Sequence, residues 1–222
     1  MKKLYDIVLF DLDGTLIDSG PGIISSIEYA LKEEGIKVPN ETEMRKFIGP
    51  PIQKGLVKIC GLSREKSKEL SVKYREYYEK NCWNKNKLYP GIKDLLKKLK
   101  SAGILLATAT SRPESSALRV INYYGLDEIF DEIVTAKDND PHIPKKDLIK
   151  TAILKCEEKS GLKNLSAVMV GDTYYDMNGA RLYDIPAIGV TYGYGTREEL
   201  LESGAMCLAS SAKELEGFLL AK

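Results

Sequence analysis

Six side chains in this sequence have types and spacings suited to handling phosphate and a hard metal ion. Asp11 and Asp13 flank a leucine in Asp11-Leu12-Asp13-Gly14-Thr15, directly after the apolar run Tyr5–Phe10. Thr110 closes a second apolar run, Ile104–Thr110. Lys145 opens an amphipathic stretch, and Asp172 and Asp176 lie four residues apart after a third run, Ser166–Val170. A carboxylate at the mouth of a buried strand is costly unless it is paired or metal-bound. Residues two apart on a strand point the same way, so Asp11 and Asp13 are expected on one side of the strand end. Asp172 and Asp176 are one helical turn apart and can face the same point. Their mutual repulsion calls for a cation, and oxygen ligands without His or Cys select Mg²⁺. Gly14 suits a tight turn, since it has no side chain to clash.

The elements that must position these groups follow from hydrophobic patterning. Short apolar runs at Tyr5–Phe10, Ile104–Thr110, Glu132–Thr135, Ser166–Val170, Ala187–Val190 and Met206–Leu208 read as strands. Between them lie helical stretches, including Ile92–Leu99, a helix from Ser111, Lys146–Glu158 and Thr196–Glu202. Alternating strands and helices predict an α/β fold: a doubly wound parallel sheet with a Rossmann-like core. Such sheets bind ligands beyond the carboxyl ends of their strands, where Asp11, Thr110 and Asp172 all fall.

Residues 16–87 break this alternation. Ile23, Ile24, Ile27, Ala30 and Leu31 recur at helical spacing, and a longer helix from Ser63 carries Leu70, Tyr74, Tyr77 and Tyr78. The expected organisation is therefore a core of residues 1–15 and 88–222 with an inserted all-helical cap, 16–87. Phe47-Ile48-Gly49-Pro50-Pro51 interrupts the insertion. It reads either as a helix–helix connection or as a cap loop that reaches the substrate, with Arg45 and Lys54 on its flanks.

Two local signals bear on the anion. Ser111-Arg112-Pro113-Glu114 has the form of a helix start with Ser111 as N-cap, which would place a helix N-terminus beside Thr110. A lysine at a helix start opposes the helix dipole unless an anion is near, and Lys145-Lys146 sits at one. His142, the sole histidine, has no ligand-spaced partner and reads as a loop residue.

Bulk properties exclude several function classes. With 33 basic and 32 acidic residues the net charge is +1, so no global field recruits a nucleic-acid polymer or an anionic membrane. The four cysteines, Cys60, Cys82, Cys156 and Cys207, form no Cys-x-x-Cys pair, which fits a reducing, cytoplasmic setting. No stretch has the length of a membrane span.

Asp11-Leu12-Asp13-Gly14-Thr15-Leu16, Thr110, the Lys145-Lys146-Asp147-Leu148-Ile149 run and Gly171-Asp172-Thr173-Tyr174-Tyr175-Asp176 resemble, in order, the four motifs of the haloacid dehalogenase superfamily of phosphohydrolases. The resemblance covers essentially the whole chain and is nearest the phosphoglycolate phosphatase-like branch, which carries a helical cap. Phe47–Pro51 and Gly193-Tyr194-Gly195-Thr196-Arg197-Glu198-Glu199-Leu200 also look like members labelled 5′-nucleotidase.

The resemblance implies a Mg²⁺-dependent phosphomonoester hydrolase that works through an aspartyl-phosphate. Asp11 is then the nucleophile and Asp13 the general acid and base. Thr110 and a lysine bind the phosphoryl group, the lysine being Lys145, with Lys146 as the alternative. The metal is held by Asp11, the Asp13 backbone carbonyl, Asp172 and Asp176. Gly14, Thr15, Ser111, Arg45 and Lys54 are expected to meet the substrate, a small phosphate ester, in a monomer or small homo-oligomer. A sugar-phosphate mutase keeps both aspartates and differs only in product. A phospho-acceptor receiver domain shares an Asp, Thr and Lys, but lacks the second aspartate and the helical insertion.

Overall fold

The structure, a computed structural model, describes residues 2–48, 52–138 and 143–221. His142 and Gly49-Pro50-Pro51 lie outside them. The chain divides into two compact units, residues 1–17 with 88–222 and residues 18–87.

In chain order the elements are β1 (Lys2–Lys3), β2 (Ile7–Phe10), β3 (Ile17–Asp18), α1 (Gly20–Glu33), α2 (Glu41–Arg45), α3 (Ile52–Cys60) and α4 (Arg64–Asn81). A 3₁₀ turn at Trp83–Lys85 leads to β4 (Lys87–Leu88), α5 (Ile92–Ser101), β5 (Leu105–Thr108), β6 (Thr110–Pro113), α6 (Glu114–Tyr123), β7 (Thr135–Ala136) and α7 (Lys145–Ser160). The chain ends with β8 (Ala167–Gly171), α8 (Tyr174–Arg181), β9 (Ala187–Val190), α9 (Arg197–Glu202), β10 (Cys207–Ala209), α10 (Ala212–Leu219) and β11 (Leu220–Ala221).

The larger unit is built on a five-stranded sheet in the order β10-β9-β8-β2-β5, with every pair parallel. Its strands are buried on both faces, as a parallel sheet requires. Ile7 and Leu9 join Met169 and Ala187 under Leu148, Ile149 and Ala152 of α7 and Met177 of α8. Val8 and Phe10 join Val168, Val170 and Ile188 under Leu95 and Leu99 of α5, Val120 of α6 and Leu215 of α10. The period of two thus splits each strand between two helical layers, which is the doubly wound α/β arrangement expected. The strand order reverses around β2, whose neighbours are β5 and β8. The crevice beyond the carboxyl ends of β2 and β8 is where such sheets bind ligands.

One predicted element is corrected. The chain does not turn helical at Ser111. It stays extended from Thr110 to Pro113 as β6 and pairs with β7, Thr110 opposite Thr135 and Pro113 opposite Ala136. The residue before a proline is pushed out of the helical region, so Pro113 keeps Arg112 extended. The helix starts at Glu114, with Pro113 rather than Ser111 at the N-cap position.

The smaller unit, 18–87, has a core of its own, made by Ile27, Leu31, Met44, Phe47, Leu56 and Leu70. Asn40 and Glu43 form a capping box at the start of α2, and Ser63 caps α4. Glu34 at the end of α1 accepts from Lys66 at 2.5 Å and also pairs with Lys73, tying α1 to α4. Phe47 is buried in this core and Ile48 is buried too, so of the run Phe47–Pro51 the first ring packs inside the helical unit, as a helix–helix connection would have it. An aromatic ring at Phe47 gains more from apolar contact inside the unit than from exposure.

Candidate active site

β2 and β8 are adjacent, so the residues that follow them emerge side by side. Asp11 follows β2, and its backbone N–H still donates to Val170 O at 3.0 Å. Asp172 follows β8, and Asp176 sits in the first turn of α8. One carboxylate oxygen from each of Asp11, Asp172 and Asp176 lies within 4.8 Å of the others. Asp172 and Asp176 are completely buried.

Lys145 enters this cluster from the start of α7. Its Nζ stands 2.8 Å from Asp11 Oδ1 and 2.9 Å from Asp176 Oδ1, and donates to Ala109 O at 2.9 Å. Lys146, its neighbour, is exposed. Burial works against the Lys145 charge, but the Asp11 and Asp176 carboxylates outweigh it and raise its pKa.

The carboxylates are underpaired by comparison. Burial, then repulsion from Asp176 and Asp11, raises the pKa of Asp172 well above the usual carboxylate range, against the Tyr194 N–H. Burial also raises Asp176, with Asp11 adding to it and Lys145 and Thr173 opposing. Asp176 Oδ2 accepts from Thr173 N and Oγ1 at 3.1 and 2.9 Å, while its buried Oδ1 is met among the described residues by the Lys145 ammonium at 2.9 Å. Three buried carboxylates lie together, and the one ammonium beside them pairs with two, Asp11 and Asp176. An all-oxygen donor set with a deficit of positive charge fits a hard divalent cation.

Backbone packing around the cluster leaves no room for side chains at three glycines. Gly14 has φ +84°, and a Cβ there would fall 2.0 Å from Asp172 Oδ2. The loop after β9 closes over Asp172: Tyr194 N donates to Asp172 Oδ2 at 2.9 Å and Gly195 N to Asp172 O at 3.1 Å. A Cβ at Gly193 would meet Asp172 Cβ at 2.3 Å, and one at Gly195 would meet Asp172 O at 2.1 Å.

The other predicted site residues are distributed as follows. Thr15 is buried and donates to Asp172 Oδ1 at 3.3 Å. Thr110 is buried, and its Oγ1 accepts from Arg112 N at 3.2 Å. Because α6 begins four residues later, its N-terminus is not the group beside Thr110. Ser111 is exposed.

Asp13 lies in the turn after β2. β2 ends at Phe10, so the strand alternation does not carry through to residue 13. The Asp13 carboxylate lies outside the acidic cluster and pairs with Arg112, Nη1 to Oδ1 at 2.6 Å. In the smaller unit, Arg45 is exposed and pairs with Glu41 at 2.9 Å, and Lys54 is exposed.

Arg112, Thr173 and the Tyr194 amide are the participants that sequence reasoning passed over. Arg112 had a legible signal: it is two residues after Thr110, on the same side of an extended strand. That signal is read only once Ser111–Pro113 is recognised as strand. Backbone amides such as that of Tyr194 carry no residue signature.

The haloacid dehalogenase-like hydrolase family matches residues 8–190, from β2 to the end of β9. The chain belongs to that family. It is an enzyme of the phosphatase-like branch, as the motif resemblance implied. It is 34% identical over 212 residues to tyrosine-protein kinase PtkA of Mycobacterium tuberculosis, covering 95% of this chain and 70% of that one. It is 32% identical over 196 residues to a 5′-nucleotidase of Pseudomonas aeruginosa, covering 88% and 87%. A phosphoglycolate phosphatase of Vibrio parahaemolyticus is 28% identical over 94% of this chain and 93% of its own. Among solved structures, a predicted phosphatase from Clostridium acetobutylicum superposes with a TM-score of 0.86 at 37% identity, over 97% of this chain and 98% of that one. No helix among the described residues is long and apolar enough to cross a membrane.

Proposed function

We propose that this chain is a Mg²⁺-dependent phosphomonoester hydrolase acting on a small phosphorylated metabolite. The observation that carries the reading is the position of Asp11, at the carboxyl end of β2, with Lys145 Nζ at 2.8 Å and Asp172 and Asp176 beside it. Asp11 is the nucleophile. Its carboxylate attacks phosphorus and forms an aspartyl-phosphate, splitting one displacement into two easier ones. Asp13 protonates the leaving oxygen and then takes a proton from the attacking water. Lys145 and the Thr110 hydroxyl hold the phosphoryl oxygens as charge redistributes.

Asp11, Asp172, Asp176 and the Asp13 carbonyl would hold Mg²⁺, which when bound supplies positive charge to the phosphoryl group. The helical unit, with Arg45 and Lys54 on its surface, acts as the cap that reads the leaving group. Gly14, Thr15 and Ser111 complete the substrate side of the core. Four free cysteines support a cytoplasmic, reducing location.

Phosphoglycolate-like substrates are the first reading, supported by the branch resemblance. Nucleoside monophosphates are the second, supported by the likeness to a 5′-nucleotidase.

The test is to quench turnover in acid and map the phosphoryl group, across phosphoglycolate, nucleoside monophosphates, sugar phosphates and pyrophosphate. The expected result is phosphate on Asp11 in the parent, none in Asp11→Asn, and stoichiometric release of inorganic phosphate. Phosphate delivered to a tyrosine, an isomerised sugar phosphate, or a stable phosphoprotein that never turns over would overturn the hydrolase reading.

A further inference from the structure

The Arg112–Asp13 pair lies apart from the acidic cluster and is built with more constraint than an incidental ion pair. Arg112 is 8% exposed, although arginine is seldom buried unless its charge is paired. Its stem is fixed at the backbone, because β6 is paired with β7 on both sides of it and its N–H donates to Thr110 Oγ1 at 3.2 Å. Its guanidinium is fixed at Nε, which donates to Ser116 Oγ of α6 at 3.0 Å. Nη1 is directed at Asp13 Oδ1 at 2.6 Å.

Asp13 has less support of its own. It sits in the turn between β2 and Gly14, and its side chain is 26% exposed. A planar guanidinium held at one edge offers its other edge in a fixed direction, which a lysine cannot reproduce.

We infer that Arg112 is a positioning residue: held by Ser116 and by the Thr110 hydroxyl, it grips Asp13 Oδ1 and aims Asp13 Oδ2 at the leaving oxygen. This rests on the reading of Asp13 as the acid and base of the hydrolase. One residue thereby links the phosphoryl-binding Thr110, through its backbone, to the proton-transfer group, through its side chain. A displacement of about 1 Å in such a group can cost on the order of 10² in rate. The proton goes from Asp13 Oδ2 to the leaving alkoxide in the first half-reaction. It returns to the same oxygen from water in the second, so atoms and charge balance.

The experiment compares single-turnover phosphorylation of Asp11 in the parent, Arg112→Met, Arg112→Lys, Asp13→Asn and the double variant Arg112→Met/Asp13→Asn. Each is assayed with an alkyl phosphate and with an aryl phosphate whose leaving group needs little protonation. Ser116→Ala is carried alongside, since it loosens Nε without removing the charge, and thermal unfolding checks that each variant folds.

The expected result has three parts. Arg112→Met loses roughly 10–10²-fold in kcat on the alkyl phosphate, within the range of general acid help. KM changes by less than about twofold, as for a group that does not bind the ground state. The loss shrinks on the aryl phosphate and nearly vanishes in the Asp13→Asn background. Arg112→Lys and Ser116→Ala shift the same way by less, and they decide the matter if Arg112→Met does not fold.

Equal losses on both leaving groups, full additivity with Asp13→Asn, or a rise in KM alone would overturn the inference. The last would instead make Arg112 a substrate-binding group. If Asp13→Asn itself shows no dependence on the leaving group, the assignment of Asp13 fails and the inference fails with it. If Asp13→Asn shows that dependence and the Arg112 variants do not, only the inference fails.

Discussion

Lys145 and Asp11 form a buried ion pair across 134 positions of sequence, Nζ to Oδ1 at 2.8 Å. The same ammonium stands 2.9 Å from Asp176 Oδ1, so a single lysine at the start of α7 joins the end of β2 to the first turn of α8. Both members of the Asp11 pair are nearly inaccessible, with side-chain exposures of 7% for Lys145 and 12% for Asp11. Solvent therefore screens the pair little.

Removing Lys145 should expose the repulsion it now offsets. Breaking a buried pair by deleting one partner typically costs about 3–5 kcal/mol, because the remaining charge is left uncompensated. Lys145→Met should lower the unfolding free energy measured in urea by that order in a chelator. It should regain much of its stability when Mg²⁺ is added, since the cation replaces the missing charge. Turnover should not return, because the phosphoryl oxygens have lost their ammonium. Unchanged stability in the chelator would mean that the carboxylates are not ionised together.

The metal assignment has a readout independent of catalysis. An ion that binds only the folded protein stabilises it by about 2.7 kcal/mol at 100 times its dissociation constant. Mg²⁺ should raise the melting temperature of the parent, and Asp172→Asn should lose most of that rise. Chelation should abolish turnover and Mg²⁺ restore it, with Ca²⁺ a poor substitute because it favours larger and looser coordination. Full activity in a chelator would remove the metal from the proposal.

The parts of the site legible in the sequence were those tied to strand ends. Asp11 and Asp172 follow β2 and β8, and hydrophobic runs announce such strands plainly. The doubly wound core was legible for the same reason. Ser111-Arg112-Pro113-Glu114 was misread because an N-cap signature and a pre-proline restriction compete over the same residues. The pairing of Thr110 with Thr135 settles it, and a contact that distant leaves no local trace. Phe47 looked like a loop residue because of the prolines after it, yet its ring fills the smaller unit's core. The short strands β1 and β11 pair the two ends of the chain, and runs of two residues are too brief to show any period.

Acid should loosen the start of the sheet through Asp6. Hydrogen bonding to Lys3, then to Ser166 Oγ and N, lowers its pKa from 3.8 to about 2. A depressed carboxylate pKa gives stability that is present above the unfolded value and lost as pH falls through the folded one. Asp6→Asn should therefore unfold more easily than the parent at pH 5 and above. The gap between the two should close as pH falls from 3.8 toward about 2. Denaturant titrations at stepped pH would measure this. A gap that persists below that window would assign the effect to packing rather than to charge.

Phe47 should decide whether the helical unit unfolds by itself. Its ring is 1% exposed in the core formed with Ile27, Leu31, Met44, Leu56 and Leu70. Gly55 of α3 lies flat against it, so close that a Cβ there would fall 2.5 Å from Phe47 Cδ1. Truncating such a ring costs about 3–5 kcal/mol, since the helices around it cannot fully collapse into the cavity. A unit this small buries a modest fraction of its surface and has little stability in reserve. Phe47→Ala should therefore split unfolding into two transitions. Hydrogen exchange should quicken in α1, α3 and α4 while β2 and β8 keep their protection. If the helical unit also reads the leaving group, the variant's ranking among phosphate esters should flatten. Phosphorylation of Asp11 by a minimal aryl phosphate should survive, because the groups proposed to hold the phosphoryl oxygens, Thr110 and Lys145, belong to the larger unit. A single cooperative transition with an unchanged ranking would show that the two units are one thermodynamic body and that residues 18–87 do not choose the substrate.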